Sequence, residues 1–321
     1  MTAQTPEPPA PPSRGEVDLI ILGAGPAGLS AAVVAQVLKL RAITLDALDR
    51  PGGQLLRNPT PIRDCAGLDS PTGMELAGKL HDHLVRLGGE VKTGRHITRI
   101  DAERGEVDAS GELLRARFLL LGTGARPRTL GIPGERDELG RGRCPAARRY
   151  GHLYRGKAVL VVGGGDVALE EATLFAENCE RVTLVHRGSQ FRGRPDLGAL
   201  VASNPRIDVR MNTALTAILG DDEVLGARIE GPSGASRVEV AGVFICTGLA
   251  PNSELLRGQI DMDPLGYVVT DVRQRTSAPR LYAAGDVCAR SAWSVAAAIG
   301  QGAAAVKDME RRICMDDELP P

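Results

Sequence analysis

Short runs of β-branched and other apolar residues alternate along the chain with longer helical patterns. The first run, Val17–Leu22, is followed by a glycine-rich turn, an apolar helical stretch over 29–38 and a second run at Ala42–Leu45. Continuous apolar runs of this length are typical of parallel strands that are buried on both faces. The order strand, turn, helix, strand recurs over 158–185. The pattern therefore predicts an α/β protein that contains two βαβ units.

Weaker patterns predict the remaining elements. Amphipathic or Ala-rich spacing predicts helices, and short apolar runs bounded by turn residues predict strands. The predicted helices cover 71–87, 169–177 and about 293–312, and the predicted strands cover 90–93, 96–100, 158–162, 181–185 and 238–246. Residues 107–113 and 116–121 are predicted to form a hairpin that returns to the sheet. The Pro-rich residues 1–15 are predicted to be a disordered tail.

The first glycine-rich turn fits the G-x-G-x-x-G pattern of dinucleotide-binding folds. Gly23 suits the tight turn, Gly25 lets the backbone approach a pyrophosphate, and Gly28 lets the helix pack on the strand. The free N–H groups at the start of that helix attract phosphate. Asp46 ends the second strand, where an acid can accept hydrogen bonds from a ribose diol. This unit is therefore predicted to bind a dinucleotide.

The second glycine-rich turn, at 163–168, fits G-x-G-x-x-A and also follows a predicted strand. The next strand ends in His186 and Arg187 rather than in an acid. An arginine at that place suits a ribose 2′-phosphate, which favours NADP over NAD. The sequence therefore predicts two dinucleotide-binding folds in one chain.

Composition narrows the class of protein. The 321 residues suggest about two domains, and a net charge of −1 gives no support to nucleic-acid binding. No apolar run is long enough for a membrane span, and the start of the sequence shows no secretory signal. The six cysteines form no C-x-x-C, and the five histidines show no metal pattern. We expect a cytoplasmic, mostly reduced protein without a metal.

Seven motifs together identify a family resemblance. They read GAGPAG, GGQL, LGTGARP, VGGGDVALEEA, VHR, GLAPN and AAGDV, in this order. Their order and spacing resemble the low-molecular-weight thioredoxin reductases, a branch of the pyridine nucleotide-disulfide oxidoreductases, over about residues 17–313. The resemblance implies a homodimer with two Rossmann-like, three-layer ββα domains. An FAD domain would comprise 16–125 and 249–321, with an NAD(P)-binding domain inserted at 126–248.

The resemblance also implies the site residues, carried over motif by motif. FAD would be held by Gly23, Gly25, Pro26, Ala27, Asp46, Gly53, Gln54, Asp64, Thr123, Gly124, Gly285, Asp286 and Val295. NADP, or a second dinucleotide, would be held by Gly163, Gly165, Asp166, Val167, His186, Arg187 and Arg192.

The chain departs from the family where its redox cysteines would lie. The family's C-x-x-C falls at positions 146–149, which here read Ala-Ala-Arg-Arg. A thiolate is required to attack a disulfide, so the usual relay from flavin to that dithiol cannot operate. Cys144, Cys65 and Cys288 are the candidates for a redox thiol. Cys144 could close a disulfide only with a distant partner, and a buried or inert cysteine is the more common case.

Three smaller departures concern charge and the flavin edge. The family's His-Arg-Arg reads His186-Arg187-Gly188 here, so two of three phosphate-binding arginines remain, Arg187 and Arg192. The residues Trp293-Ser294-Val295 stand where the family usually has Arg-Gln-Ala, so we expect different side chains at the edge of the flavin ring. Arginines crowd 141–155, either as a solvated face or as a patch for an acidic carrier or a phosphate.

Three functions fit these observations. The preferred one is an FAD-dependent oxidoreductase that moves electrons between NADPH and a redox partner, such as ferredoxin, flavodoxin or a thiol protein, without the usual C-x-x-C. The second is an NADPH-independent, flavin-linked disulfide oxidoreductase that acts on a thiol protein or small dithiol and carries a second FAD in the inserted domain. The third is a non-catalytic flavin redox sensor.

Overall fold

The computed structural model describes residues 17–58, 62, 65–67, 72–136, 138–144, 146–289 and 291–315. The chain divides into two compact units: unit 1 comprises Met1–Arg126 and Ala250–Pro321, and unit 2 is Pro127–Leu249. The chain passes between the two units after residues 126 and 249, in each case one residue later than the domain border predicted from the sequence. The predicted tail at 1–15 and the predicted FAD residue Asp64 lie outside the described residues.

Unit 1 is built on a sheet of seven strands, labelled in chain order. Its strands are β1 (Val17–Leu22), β2 (Ala42–Leu45), β3 (Val91–Lys92), β4 (Ile97–Asp101), β5 (Glu106–Ala109), β6 (Glu112–Leu121) and β17 (Leu281–Ala283). Its helices are α1 (Pro26–Val37), α2 (Gly73–Arg86) and α6 (Val295–Cys314), with short 3₁₀ turns at Gly53–Arg57 and Glu254–Leu256. The parallel order is β3-β2-β1-β6-β17, and β4 and β5 extend β6 as an antiparallel meander.

The central strand β1 separates two hydrophobic clusters in unit 1. Leu19 and Ile21 face the cluster that contains α1 and α6, whereas Ile20 and Leu22 face the cluster shared with β5 and β6. Successive side chains of a strand point to opposite faces, so an all-apolar strand supplies both cores at once. Small residues bring α1 and α6 together: a side chain at Gly302 would collide with the backbone of Ala27.

Unit 2 repeats this design with a five-stranded parallel sheet. The strands of unit 2, inside and outside this sheet, are β8 (Arg141–Gly142), β9 (Ala158–Val162), β10 (Arg181–Val185), β11 (Ile207–Arg210), β12 (Ala214–Leu219), β13 (Gly226–Gly231), β14 (Gly234–Val238) and β15 (Val243–Ile245). Its helices are α3 (Ala147–Tyr150), α4 (Asp166–Asn178) and α5 (Pro195–Ser203), with a 3₁₀ turn at Gly151–Tyr154. The parallel order is β11-β10-β9-β15-β8, and β12, β13 and β14 form a separate antiparallel sheet.

The parallel sheet of unit 2 is covered on both faces. Val159 and Val161 of β9 pack in the cluster that contains α4, and Leu160 packs in the cluster that contains β12 and β13. Two more short strands, β7 (Ala125–Pro127) and β16 (Leu249–Pro251), lie where the chain passes from one unit to the other and back. The predicted α/β class with two Rossmann-like units is confirmed.

Several predicted borders were wrong for local reasons. Helices α1 and α4 begin three residues earlier than predicted, because the glycine motif itself forms the first helical turn and Pro26 fits the first helical position of α1. The predicted strand at 238–246 is interrupted: it contains the last residue of β14, Val238, and the whole of β15, and no strand lies between them. The hairpin turns at Ser110 and Gly111, whose φ angles are 55° and 85°, so β6 starts at Glu112.

Candidate dinucleotide sites and cysteine pair

The glycine turn of unit 1 brings the ends of β1 and β6 together. Gly23 has a φ of +101°, and a Cβ there would lie 2.5 Å from the carbonyl oxygen of Gly122, which follows β6. Only glycine fits such a position without displacing backbone. The loops after β1 and β6 therefore flank a crevice at the carboxyl edge of the sheet. Open α/β sheets bind their ligands at such an edge, where the strand order reverses.

Asp46 anchors this glycine turn. Its carboxylate accepts hydrogen bonds from the backbone N–H of Ala24 at 2.5 Å and of Leu48 at 2.8 Å. The side chain is buried, with 7% of the residue exposed. Each carboxylate oxygen can accept more than one hydrogen bond, so these contacts leave capacity for a ribose hydroxyl.

Predicted FAD residues from four chain segments meet beside the same crevice. Gln54 Nε2 donates to Asp286 Oδ2 at 2.9 Å. A Cβ at Gly53 would lie 3.0 Å from Gly25 Cα, and one at Gly124 would lie 3.6 Å from Gln54 Nε2. Burial raises the pKa of Asp286, and the hydrogen bond from Gln54 opposes that rise. Residues that are far apart in the sequence thus form one polar cluster.

Two further residues hold this cluster in place, and the sequence analysis did not single them out. Asn252 Nδ2 donates to the carbonyl oxygen of Thr123 at 2.8 Å, and the Thr123 hydroxyl donates to the carbonyl oxygen of Asn252 at 2.7 Å. Gln301 Oε1 accepts from the N–H of Gly285 at 2.8 Å. The G-L-A-P-N motif already contained the signal for Asn252, whereas nothing in the Ala-rich helix distinguished Gln301.

The remaining predicted FAD residues lie at helix starts. Pro26 and Ala27 open α1, and a Cβ at Gly285 would lie 3.1 Å from the Cβ of Ala27. Val295 opens α6 and packs against the small cluster that also contacts Cys65. Trp293 is 59% exposed, and its ring centroid lies 6.0 Å from that of Tyr267.

Unit 2 repeats the backbone geometry of the unit 1 crevice. A side chain at Gly163 would collide with the carbonyl oxygen of Cys246, as one at Gly23 would with that of Gly122. The N–H of Cys246 donates to the end of β9 at 2.7 Å, and the N–H of Gly122 donates to the end of β1 at 2.8 Å. A Cβ at Gly165 would meet nothing within 4 Å. Cys246 therefore takes in unit 2 the place that Gly122 takes in unit 1.

His186 occupies the place that Asp46 has in unit 1. Its ring packs so closely on the glycine turn that a Cβ at Gly164 would lie 2.5 Å from it, and its Nε2 lies 3.1 Å from the carbonyl oxygen of Gln190. Burial lowers the pKa of His186, and two neighbouring arginines add to that effect. The contact with the Gln190 carbonyl opposes that shift. The imidazole packed under the turn supports the loop.

Residues 186–192 border an open cavity of about 310 Å³. It is lined by His186, Arg187, Gly188, Ser189, Gln190 and Arg192. Two guanidinium groups at one cavity suit an anion such as a phosphate. Asp166, at the start of α4, accepts from the N–H of Arg194 at 2.6 Å, and Val167 beside it is 51% exposed. The predicted residues of the second site thus line the carboxyl edge of the unit 2 sheet.

The short helix α3 begins within 146–149, the positions at which the resemblance places the family's dithiol. Ala146 and Ala147 are buried, and their N–H groups donate to Glu171 Oε2 at 2.7 and 2.8 Å. Burial raises the pKa of the Glu171 carboxyl, and these two hydrogen bonds oppose that rise. Arg148 and Arg149 are exposed on the same helix. Glu171 thus fixes the segment that follows Cys144, a role that the sequence analysis missed.

Cys144 forms a disulfide with Cys246, with a Cα–Cα distance of 5.6 Å. The two cysteines follow the adjacent parallel strands β8 and β15, in which Arg141 lies opposite Val243 and Gly142 opposite Phe244. Extending that register by two residues places Cys144 opposite Cys246. Cys246 was not among the predicted candidates, because a two-residue strand such as β8 gives no sequence signal for its neighbour.

The other two candidate cysteines are not paired. Cys288 is buried in the core of unit 1, and burial raises the pKa of its thiol to about 12. Cys65 is half-buried and is also a free thiol. Of the three candidates, only Cys144 therefore belongs to a disulfide.

Metal sites and membrane-spanning helices are both absent from the part of the chain that the structure describes. No group of three or more His, Cys, Asp or Glu side chains there is arranged to hold a metal ion. No described helix combines the length and the apolarity that a membrane span requires.

The two crevices, each with a glycine turn at the carboxyl edge of a parallel sheet, define a protein class with two dinucleotide-binding units. The family model for pyridine nucleotide-disulphide oxidoreductases matches residues 17–302. Thioredoxin reductase of Mycolicibacterium smegmatis is 34% identical over 309 residues, which are 94% of this chain and 97% of that protein. Thioredoxin reductase of Listeria monocytogenes is 33% identical over 300 residues, covering 92% and 93%.

A solved structure agrees with these relatives. Thioredoxin reductase of Lactococcus lactis superposes with a TM-score of 0.75 at 27% identity, covering 94% of this chain and 100% of that one. The chain belongs to the pyridine nucleotide-disulphide oxidoreductase family and is similar to its thioredoxin reductases. It is a flavin-dependent oxidoreductase, and the predicted family and enzyme class are confirmed. Thioredoxin reductases are FAD enzymes that use NADPH, which agrees with the predicted cofactors.

Proposed function

We propose that unit 1 binds FAD, that unit 2 binds NADPH, and that the protein moves electrons between NADPH and a redox partner without a C-x-x-C. The observation that carries this proposal is the repeated crevice. In both units a glycine turn lies against the carbonyl oxygen that follows the neighbouring strand, Gly122 in unit 1 and Cys246 in unit 2. Each crevice offers helix N–H groups to a pyrophosphate.

The side chains around the two crevices support different occupants. In unit 1, Asp46 and Asp286 are acceptors for the hydroxyl groups of ribose and of the FAD side chain. Gly25 and Gly53 leave the backbone open to the pyrophosphate. When bound, FAD supplies a ring that takes up and returns two electrons. The residues of unit 1 bind that ring's side chain, orient it and hold its phosphates.

In unit 2, Arg187 and Arg192 line the cavity next to the glycine turn and favour a nucleotide with a 2′-phosphate. Gly188 stands where the family has a further arginine. One lost charge-assisted hydrogen bond weakens binding by about 1.5–3 kcal/mol, which is roughly ten- to over a hundredfold in affinity. We therefore expect NADPH to bind more weakly here than a complete arginine set would allow.

The partner in this proposal is a redox protein. The relatives named thioredoxin reductase support a thiol protein such as thioredoxin. The exposed Arg148 and Arg149 would equally suit an acidic ferredoxin or flavodoxin. The proposal includes a homodimer, as the resemblance implies, and a location in the cytoplasm, as the composition indicates.

The test is an anaerobic titration of the purified protein with NADPH, after the FAD content per chain has been measured. We expect one FAD per chain and loss of flavin absorbance near 450 nm as NADPH is added. Two FAD per chain would mean that unit 2 binds a second flavin instead of NADPH. No bleaching by NADPH, with bleaching by dithionite intact, would remove NADPH as the donor.

Arg187→Ala adds a test of the nucleotide assignment to that titration. We expect this variant to bind NADPH about tenfold or more weakly and NADH nearly as before, because only NADPH carries the 2′-phosphate. Arg181→Ala, at the opposite end of β10, is the matched control and should change neither. Equal losses for both nucleotides would contradict a 2′-phosphate contact.

A further inference from the structure

We propose that Cys144–Cys246 is the redox-active disulfide of this protein, and that it exchanges electrons with the thiols or disulfide of a partner. This inference rests on the proposed function in one respect. FAD bound to unit 1 would accept the two electrons of the reduced cysteine pair, or supply two electrons to the disulfide. It replaces the missing C-x-x-C by a pair that the fold assembles from two strands.

The position of the pair carries the argument. Both cysteines lie at the carboxyl ends of parallel strands, and Cys246 follows β15, the direct neighbour of β9 and its glycine turn. This is the edge where an open α/β sheet places its functional groups. At the corresponding place unit 1 has Gly122, which has no side chain, so the sulfur at position 246 is a feature specific to unit 2.

Accessibility separates this pair from the buried cysteines. Cys144 and Cys246 are both half-buried. Cys179 and Cys288, by contrast, are each 1% exposed, and burial raises the pKa of their thiols to about 11 and about 12. A thiolate must form for exchange to occur, and it forms most readily at sites that are partly open to water.

Arginines next to the pair favour the thiolate form. Arg143 directly precedes Cys144, and Arg148 and Arg149 are exposed on the helix that follows it. Positive charge near a cysteine lowers the energy of its thiolate and attracts an acidic partner surface.

Glu171 keeps the segment of Cys144 in place when the disulfide opens. Its buried carboxylate holds the N–H groups of Ala146 and Ala147, only two and three residues after Cys144. The β8–β15 pairing holds the residues just before each cysteine. The two sulfurs therefore stay close enough to close the bond again. Glu171 acts here as a positioning residue.

The proposed exchange balances as two consecutive sulfur substitutions. A thiolate of a partner dithiol attacks one sulfur of the pair, the Cys144–Cys246 bond breaks, and the released cysteine takes up a proton. The partner's second thiol, after losing its proton, attacks the mixed disulfide, which forms the partner's disulfide and frees the other cysteine as a thiol. Two electrons and two protons pass to the pair, and the reverse sequence reduces a partner disulfide.

The test maps thiols by alkylation and mass spectrometry on the FAD-loaded protein under anaerobic conditions. Before reduction, we expect alkylation of the exposed Cys314 and the half-buried Cys65, with an intact Cys144–Cys246 link, whereas the buried Cys179 and Cys288 should react only after denaturation. After addition of stoichiometric dithiothreitol to the folded protein, we expect both Cys144 and Cys246 to become alkylated. If the link stays closed until the protein is denatured, the pair is a structural crosslink and the inference is wrong.

Flavin absorbance provides the second readout. Dithiothreitol without nucleotide should bleach the flavin of the unaltered protein, and Cys144→Ser or Cys246→Ser should slow that bleaching at least a hundredfold. Cys314→Ser changes an exposed free thiol and is the matched control, which should behave as the unaltered protein. Each variant is checked first for unchanged FAD content, which separates lost folding from lost exchange.

The outcomes also separate this inference from the proposed function. Bleaching by NADPH while the disulfide stays closed in every condition would overturn the inference and leave the NADPH assignment standing. Opening of the disulfide with bleaching by dithiothreitol, but none by NADPH, would support the inference and remove NADPH as the donor. Equal bleaching of the Cys144→Ser variant and the unaltered protein by dithiothreitol would contradict the inference directly.

Discussion

At the scale of single residues, Asp286 differs from the other carboxylate at the FAD crevice. Asp46 contacts two backbone N–H groups, whereas Asp286 has one side-chain partner, Gln54, and burial raises its pKa. A half-buried carboxylate with one partner has acceptor capacity that a ligand hydroxyl can satisfy. Asp286 is therefore the carboxylate that depends more on a hydroxyl group of FAD for its hydrogen bonds.

We expect Asp286→Ala to weaken FAD binding by about tenfold or more, since a hydrogen bond to a charged group is worth roughly 1.5–3 kcal/mol. The measurement is the ratio of flavin to protein absorbance after purification and after dialysis. Asp82→Ala, an exposed site on α2, is the control and should retain FAD. Full FAD content in the Asp286 variant after dialysis would contradict the placement of this residue in the site.

At the scale of elements, the two glycine turns combine strict and permissive positions. Gly163 has no room for a side chain, because one would collide with the backbone after β15. Gly165 has open space within 4 Å, although the family pattern requires glycine there. A glycine that the protein itself does not require is best explained by a ligand that approaches its backbone.

We therefore expect Gly165→Ala to fold normally and to bind NADPH at least tenfold more weakly, because the new methyl group occupies space meant for the pyrophosphate. Circular dichroism melting and an NADPH titration measure the two effects separately. Gly78→Ala in α2, another glycine with open space, should change neither binding nor fold adversely, since alanine favours helix. Unchanged NADPH affinity in the Gly165 variant would place the nucleotide elsewhere.

The elements also show what the sequence could and could not predict. Strands β1, β2, β9 and β10 have the predicted bounds, because long apolar runs before a glycine turn have few alternatives. The family resemblance was what put Gln54 and Asp286 into one predicted site, because no local pattern links two residues so far apart in the chain. The Cys144–Cys246 pair could not be predicted, because it depends on the register between β15 and the two-residue strand β8. Such pairings are decided by tertiary packing and leave no local pattern.

At the scale of the whole molecule, the proposal assigns one dinucleotide to each unit, and a ligand protects only the unit that binds it. We expect FAD added to flavin-stripped protein to slow hydrogen exchange in unit 1, at 23–28, 53–58, 122–124 and 285–301. NADP⁺ should slow exchange at 163–168 and 186–192 in unit 2. Mass spectrometry of the exchanged peptides gives both results in one experiment.

The second-flavin alternative predicts a different pattern of protection from hydrogen exchange. Protection of 163–168 by FAD would mean that unit 2 holds a flavin, as the second-flavin alternative requires. Peptides of α5, which lines neither crevice, serve as the internal reference and should exchange at the same rate in all samples.

The disulfide also makes a covalent ring of unit 2. It joins residues 102 positions apart, so the chain from Cys144 to Cys246, which is most of Pro127–Leu249, is closed on itself. By chain-entropy reasoning, opening a ring of that size gives the unfolded chain freedom worth about 5 kcal/mol. The folding equilibrium and the redox equilibrium of unit 2 are then thermodynamically linked, so an electron pair that enters the cysteines also lowers the free energy of unfolding of the unit that carries them.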